Sequence, residues 1–164
     1  MTTNHRFVTL AVLWLIVSST GLALADNRIA LSSRAEVEQT VVNDKGQKEI
    51  KRMPAAEVLP GTEVIFVTTF ENSSRQVAEN AVITNPIPEH MRLQIGSVRG
   101  AGAAASFSVD GGKTYHCLDQ LFIYDAAGRK FPARNRDITH IRWKFENPLP
   151  PGAKGEVSFR AVLE

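Results

Sequence analysis

The chain is poor in the residues that most small exported domains or metalloproteins depend on. Its single cysteine, Cys117, excludes any disulfide within the chain, so stability has to come from packing. No Cys-x-x-Cys and no His-x-x-x-His occurs, which removes the common ligand spacings of zinc sites. Charge of neither sign dominates: 19 Lys and Arg stand against 17 Asp and Glu, scattered along the chain. That balance points to neither nucleic acid nor an anionic membrane as partner. No Gly-x-Ser-x-Gly elbow is present, so a hydrolase triad has no motif to stand on. Past the first 25 residues there is no apolar run of membrane length and no sustained helical period.

The N-terminus is where hydrophobicity concentrates. Arg6 precedes an apolar run from Phe7 to Val17, interrupted only by Thr9, and the stretch closes on Ala23-Leu24-Ala25. A basic start, an apolar middle and an Ala-x-Ala ending form a secretory signal peptide over residues 1–25. Cleavage is expected between Ala25 and Asp26, with Ala23 and Ala25 in the two small pockets of the peptidase. A membrane anchor is disfavoured, because the strictly apolar part is short for ~30 Å of hydrocarbon. Removing 25 of the 164 residues leaves 139, one domain by length, with 18 basic against 17 acidic groups. No membrane insertion is expected after cleavage, and the location is periplasmic or extracellular.

Residues 26–34 lack a clear period and are expected to be a flexible leader. From Ala35 the period is two: Val37, Gln39 and Val41 alternate with polar neighbours, and Asn43-Asp44-Lys45-Gly46 turns the chain into a hairpin. Leu59-Pro60-Gly61 is a tight turn that launches the most strand-like segment, Thr62 to Glu71. There Val64, Phe66, Thr68 and Phe70 share one face, and the other, with charged ends, is expected to be the more solvated. Val77 to Thr84 alternates and stops at Asn85-Pro86-Ile87-Pro88. Short strands follow at Leu93–Ile95, Ala105–Val109 and Leu121–Tyr124. Finally Ile141, Trp143 and Phe145 alternate with Arg142, Lys144 and Glu146, Leu149-Pro150-Pro151-Gly152 turns, and Val157, Phe159, Ala161 and Leu163 alternate again. The last two strands are expected to pair as a hairpin. Together these imply an all-β, antiparallel β-sandwich of about seven to nine strands over residues 35–164.

Three segments resemble the bacterial "conserved repeat" family, also called domain of unknown function 11. They are Val58 to Asn72, with its Pro-Gly turn, alternating strand and closing Asn; Val77 to Met91, a strand running into a proline corner; and Ile141 to Phe145 followed by Leu149 to Ala161. The resemblance covers about residues 57–164. It implies an immunoglobulin-like module of envelope or secreted proteins, and it brings no catalytic residues with it. The family usually occurs as repeats, and a single copy is present here.

Ser108-Val-Asp110-Gly-Gly112-Lys-Thr114-Tyr115 is similar to the Asp-box turn of secreted β proteins, with Tyr115 where Trp is usual. Physically it is a corner in which Asp110 accepts backbone N–H groups and the glycines take positive φ. His116 and Cys117 are adjacent, so in a strand they would face opposite ways and share no metal. His90 and His140 have no ligand partner in sequence, and Asp110, Asp119 and Asp125 lack a calcium-loop pattern. Cys117 is expected to be a small buried hydrophobe, with a reactive or intermolecular thiol as the alternative. Tyr115, Phe122, Tyr124 and Phe131 are the candidate patch for a partner or ligand; ordinary half-buried packing is the plainer alternative. No catalytic residue, metal or cofactor is expected. The function implied is a non-enzymatic structural or interaction module meeting an envelope protein or glycan. A small carbohydrate-binding module is the alternative, and the oligomeric state is left open.

Overall fold

A computed structural model describes residues 29–164, which form ten strands and no α-helix. The expected cleavage site at Ala23, Ala25 and Asp26 lies outside the described residues. The strands are β1 (Ile29–Val42), β2 (Lys48–Pro54), β3 (Glu63–Asn72), β4 (Val82–Pro86), β5 (Met91–Gly100), β6 (Ala103–Ser108), β7 (Phe122–Tyr124), β8 (Lys130–Pro132), β9 (His140–Phe145) and β10 (Lys154–Leu163). They make a five-stranded sheet ordered β2-β1-β3-β10-β5, a three-stranded sheet β4-β9-β6, and the small β7-β8 pair. All pairings are antiparallel.

The two larger sheets pack face to face through side chains at alternate positions. Trp143 and Ile141 of β9, Ile83 of β4 and Phe107 of β6 meet Val157, Phe159 and Ala161 of β10, with Leu93 of β5. Phe70 and Phe145 cross the interface edge to face at 4.8 Å, and Trp143 lies 6.4 Å from Phe159. Trp143 is fully buried, with Gly100 of β5 and Phe159 of β10 beside its ring. Two inward glycines make room for the large rings. A methyl group at Gly100 would stand 2.7 Å from the indole Cδ1, and one at Gly155 would stand 2.6 Å from Phe70 Cζ.

Several expectations need correction. Ile29 to Arg34, expected to be a flexible leader, form the first half of β1, paired with β3 from Ile29↔Asn72 onward. Their sequence shows no period because Ala30 to Arg34 are all exposed, and only Ile29 at the end of the segment packs against the core. The second face of β3 is the wetter one at its ends, Glu63, Thr69 and Glu71, as expected, but its middle is not: Ile65 and Val67 are more deeply buried than Phe66. Arg34 and Ser158 flank Val67 while Glu36 and Arg160 flank Ile65, so the aliphatic stems of long charged residues roof them. Beyond those stems the charges neutralise one another, Arg160 bridging Glu38 at 2.7 Å and Glu63 at 2.6 Å.

The final two strands are not a hairpin. β9 belongs to the three-stranded sheet and β10 to the five-stranded one, and residues 146–153 carry the chain across. Alternation looks the same for a hairpin and for a crossing between sheets; only the partners differ. β4 starts later than expected because Asn80 takes φ 52°, which interrupts the extended run. It also includes Pro86, opposite His140. The Phe145 N–H to Ala81 carbonyl bond and the Ile87 N–H to Thr139 carbonyl bond set the phase. Pro86 therefore turns its missing N–H to the free edge, where no ladder bond is lost. The tenth strand is β8, a three-residue return segment absent from the expected set.

Candidate functional site

Between β6 and β9 the chain leaves the three-stranded sheet and builds a small lobe. It is anchored by Leu121 and Ile138, both buried in the main core. Phe107 and His116 exchange two backbone hydrogen bonds of 2.9 Å, so residues 108–115 form a closed loop. Asp110 organises that loop as expected. Its carboxylate accepts from Thr114 Oγ1 (2.7 Å), Ser108 Oγ (2.7 Å), and the Thr114 and Lys113 N–H groups. Gly111 and Gly112 take φ of 77° and 85°, the left-handed conformations the loop requires. The Thr114 hydroxyl above all, then the Thr114 N–H and the Ser108 hydroxyl, hold Asp110 far below the usual carboxylate range.

The β7–β8 hairpin is closed in the same manner. Asp125 accepts the N–H groups of Arg129 and Ala127, both at 2.9 Å, and the Arg129 Nε at 2.7 Å. The Arg129 backbone and guanidinium donors lower its pKa. In this hairpin Phe122 pairs with Pro132, Ile123 with Phe131, and Tyr124 with Lys130. Phe122, Tyr124 and Lys130 therefore share one face and Phe131 the other.

That register divides the candidate patch. Phe122 and Tyr124 line a cleft of about 630 Å³ between the hairpin and the Asp110 loop, together with His116, Gln120 and Lys130. Tyr124 is 66% exposed and presents its ring to solvent. The Lys130 ammonium rests 3.7 Å from the centre of the Phe122 ring. Tyr115 is elsewhere, half-buried beneath the Arg142 guanidinium at 4.2 Å. Phe131 lies on the far side of the hairpin with Arg129 5.8 Å above it. His116, Gln120 and Lys130 were missing from the candidate patch. The Asp125–Gly128 turn, taken as a hairpin turn, places Lys130 beside Tyr124, whereas no local signal joins His116 and Gln120 to them.

Cys117 is exposed, contrary to the expectation of a buried thiol. It precedes the 3-10 turn Leu118–Gln120 and does not sit inside a strand, so no sheet face buries it. His116 is exposed as well. Among the described residues no group of three or more His, Cys, Asp or Glu side chains converges on a point. A second cleft of about 390 Å³ opens between β1 and β4. Its apolar walls include Phe66 and Pro86, and a hydrogen-bond chain from Ser33 through Thr68 to Asn85 crosses its floor.

No family model, curated protein or solved structure matches the chain.

Proposed function

We propose that the chain is an exported, non-enzymatic interaction module of the cell envelope or secreted fraction, built on an immunoglobulin-like β-sandwich. The observation that carries this reading is the cleft between the β7–β8 hairpin and the Asp110 loop, where Tyr124 is exposed beside polar loops. A purely structural spacer needs no such feature. The two antiparallel sheets packed through one core, and the three segments similar to the conserved-repeat family, support the fold assignment. Export rests on Arg6, the apolar run and Ala23-Leu24-Ala25. The absence of chemistry in this reading rests on the state of the cleft's titratable groups. Asp110 has its oxygens occupied within its own turn, leaving His116 without a carboxylate partner to act with.

A carbohydrate-binding module is the second reading. It is favoured by an exposed tyrosine ring beside a primary amide (Gln120) and an imidazole (His116), the combination that stacks on a sugar face while bonding its hydroxyls. Fractionation of cells with N-terminal sequencing of the recovered protein tests export; a chain beginning at Asp26 is expected, and an intact Met1 on a membrane form would refute it. Retention of residues 26–164 on immobilised envelope polymers, lost with Tyr124→Ala, tests the cleft. Release of soluble fragments from those polymers would make the protein an enzyme instead.

A further inference from the structure

Among the described residues, Lys130 is the charged side chain on the cleft wall that no opposite charge answers. Its ammonium touches the Phe122 ring and, among the described residues, makes neither an ion pair nor a hydrogen bond. The surrounding charges are committed. Arg129 is held by Asp125 at 2.7 Å and Arg134 by Asp137 at 3.2 Å. Asp110, the only carboxylate on the wall, spends its lone pairs on Thr114, Ser108 and Lys113 donors and offers a ligand no free acceptor site. Lys113 and Asp119 lie on exposed turns outside the cleft lining and oppose each other in sign.

An ammonium has three N–H donors and accepts nothing. Placed over an aromatic face, it repels a cationic ligand and leaves room for an anionic oxygen. The residues lining the cleft include no arginine fork, so a single-charged carboxylate suits it better than a phosphate. Tyr124 stands directly across the hairpin from Lys130, so a ring stacked on the tyrosine would carry its substituents toward the ammonium.

We propose that the cleft takes a saccharide unit bearing a carboxylate. Tyr124 stacks on the sugar ring, His116 and Gln120 bond its hydroxyls, and Lys130 receives the carboxylate. The proposal rests on the carbohydrate reading of the same cleft and adds its selectivity.

The test is calorimetric titration of residues 26–164 with trigalacturonate and a hyaluronan tetrasaccharide, each beside its methyl ester. The acids are expected to bind about tenfold or more tighter than the esters. Lys130→Gln should bring acid and ester to the same affinity, Lys130→Arg should keep the preference, and Tyr124→Ala should weaken both. Equal binding of acid and ester by the unmodified protein would overturn the selectivity and leave the carbohydrate reading standing. Binding of neither would overturn both.

Discussion

Asn72 is wholly buried, and each of its side-chain hydrogen-bonding roles is filled. The amide nitrogen donates to the Gln76 and Leu149 carbonyls, both at 2.8 Å, while the oxygen accepts from the Ser74 hydroxyl at 2.7 Å and the Ser74 N–H at 3.1 Å. The residue thus ties the loop after β3 to the crossing segment before β10. Asn72→Ala removes one donor from each of two carbonyls, leaving Leu149 with the Ala78 N–H and Gln76 with the Ser74 hydroxyl, and should cost about 2 kcal/mol, read as a lower urea midpoint at unchanged slope. A midpoint equal to that of the unmodified protein would mean that water replaces the amide. Cys117 makes the opposite kind of prediction. Its exposure implies labelling by a small disulfide reagent in native buffer at a rate close to that of the urea-unfolded chain. Protection until unfolding would put the thiol back in a packed site.

At the scale of elements, β1 is the instructive case. Asn72 bonds to the β10 side, through its N–H to Ala153 and its carbonyl from Gly152. With the register Ala30↔Glu71 and Ser32↔Thr69, the backbone groups of Ala30, Ser32 and Arg34 face β3, and those of Leu31 and Ser33 face the free edge. Hydrogen exchange should therefore alternate along this segment, slow at Ala30, Ser32 and Arg34 and fast at Leu31 and Ser33. Uniformly fast exchange would restore a loose leader. The first half of the strand was not legible because Ala30 to Arg34 are exposed and carry no hydrophobic period; what fixes it is pairing to a distant segment. The β7–β8 hairpin escaped for a related reason. Half of it, Phe122 to Tyr124, was visible as an apolar run, and its return Lys130–Pro132 is three exposed residues, too short to show an alternation. Without that return, Phe131 was grouped with Tyr124 although pairing places them on opposite faces.

For the whole molecule, Trp143 is the centre of the shared core and is fully buried, with no hydrogen bond to its indole nitrogen. Trp143→Ala should cost ~3–5 kcal/mol, a large share of the ~5–15 kcal/mol that holds such a domain together. Trp143→Phe should cost less, since it removes the unpartnered N–H along with part of the volume. The native indole emission should be blue-shifted and protected from quenchers; water-like emission in the folded protein would refute the packing. Acid sensitivity is likewise a property of the whole. The Arg160 guanidinium lowers the pKa of Glu38, Thr114 that of Asp110, and Arg129 that of Asp125. In Asp137 partial burial pushes the other way, but the Arg134 donors prevail. Each of these carboxyls is more acidic folded than unfolded, so its contribution is present above the ordinary values of 3.8 and 4.5 and lost as pH falls through the lower folded-state values. Urea midpoints should hold steady down to that range and drop below it. The gap between the unmodified protein and Asp110→Asn should narrow over the same interval; parallel curves would exclude Asp110 as a source.

The sequence by itself determined the all-β class, the antiparallel alternation, the inward placement of Trp143, Phe145 and Phe159, and the Asp110 loop. Each of these follows from side-chain period or local turn chemistry within a few residues. Only the tertiary structure decided that β9 and β10 lie in different sheets, that Ile65 and Val67 are roofed by arginine and glutamate stems, and that Lys130 and His116 join Tyr124 at one cleft. Those outcomes depend on which distant backbone pairs with which, and a period of two carries no information about the partner.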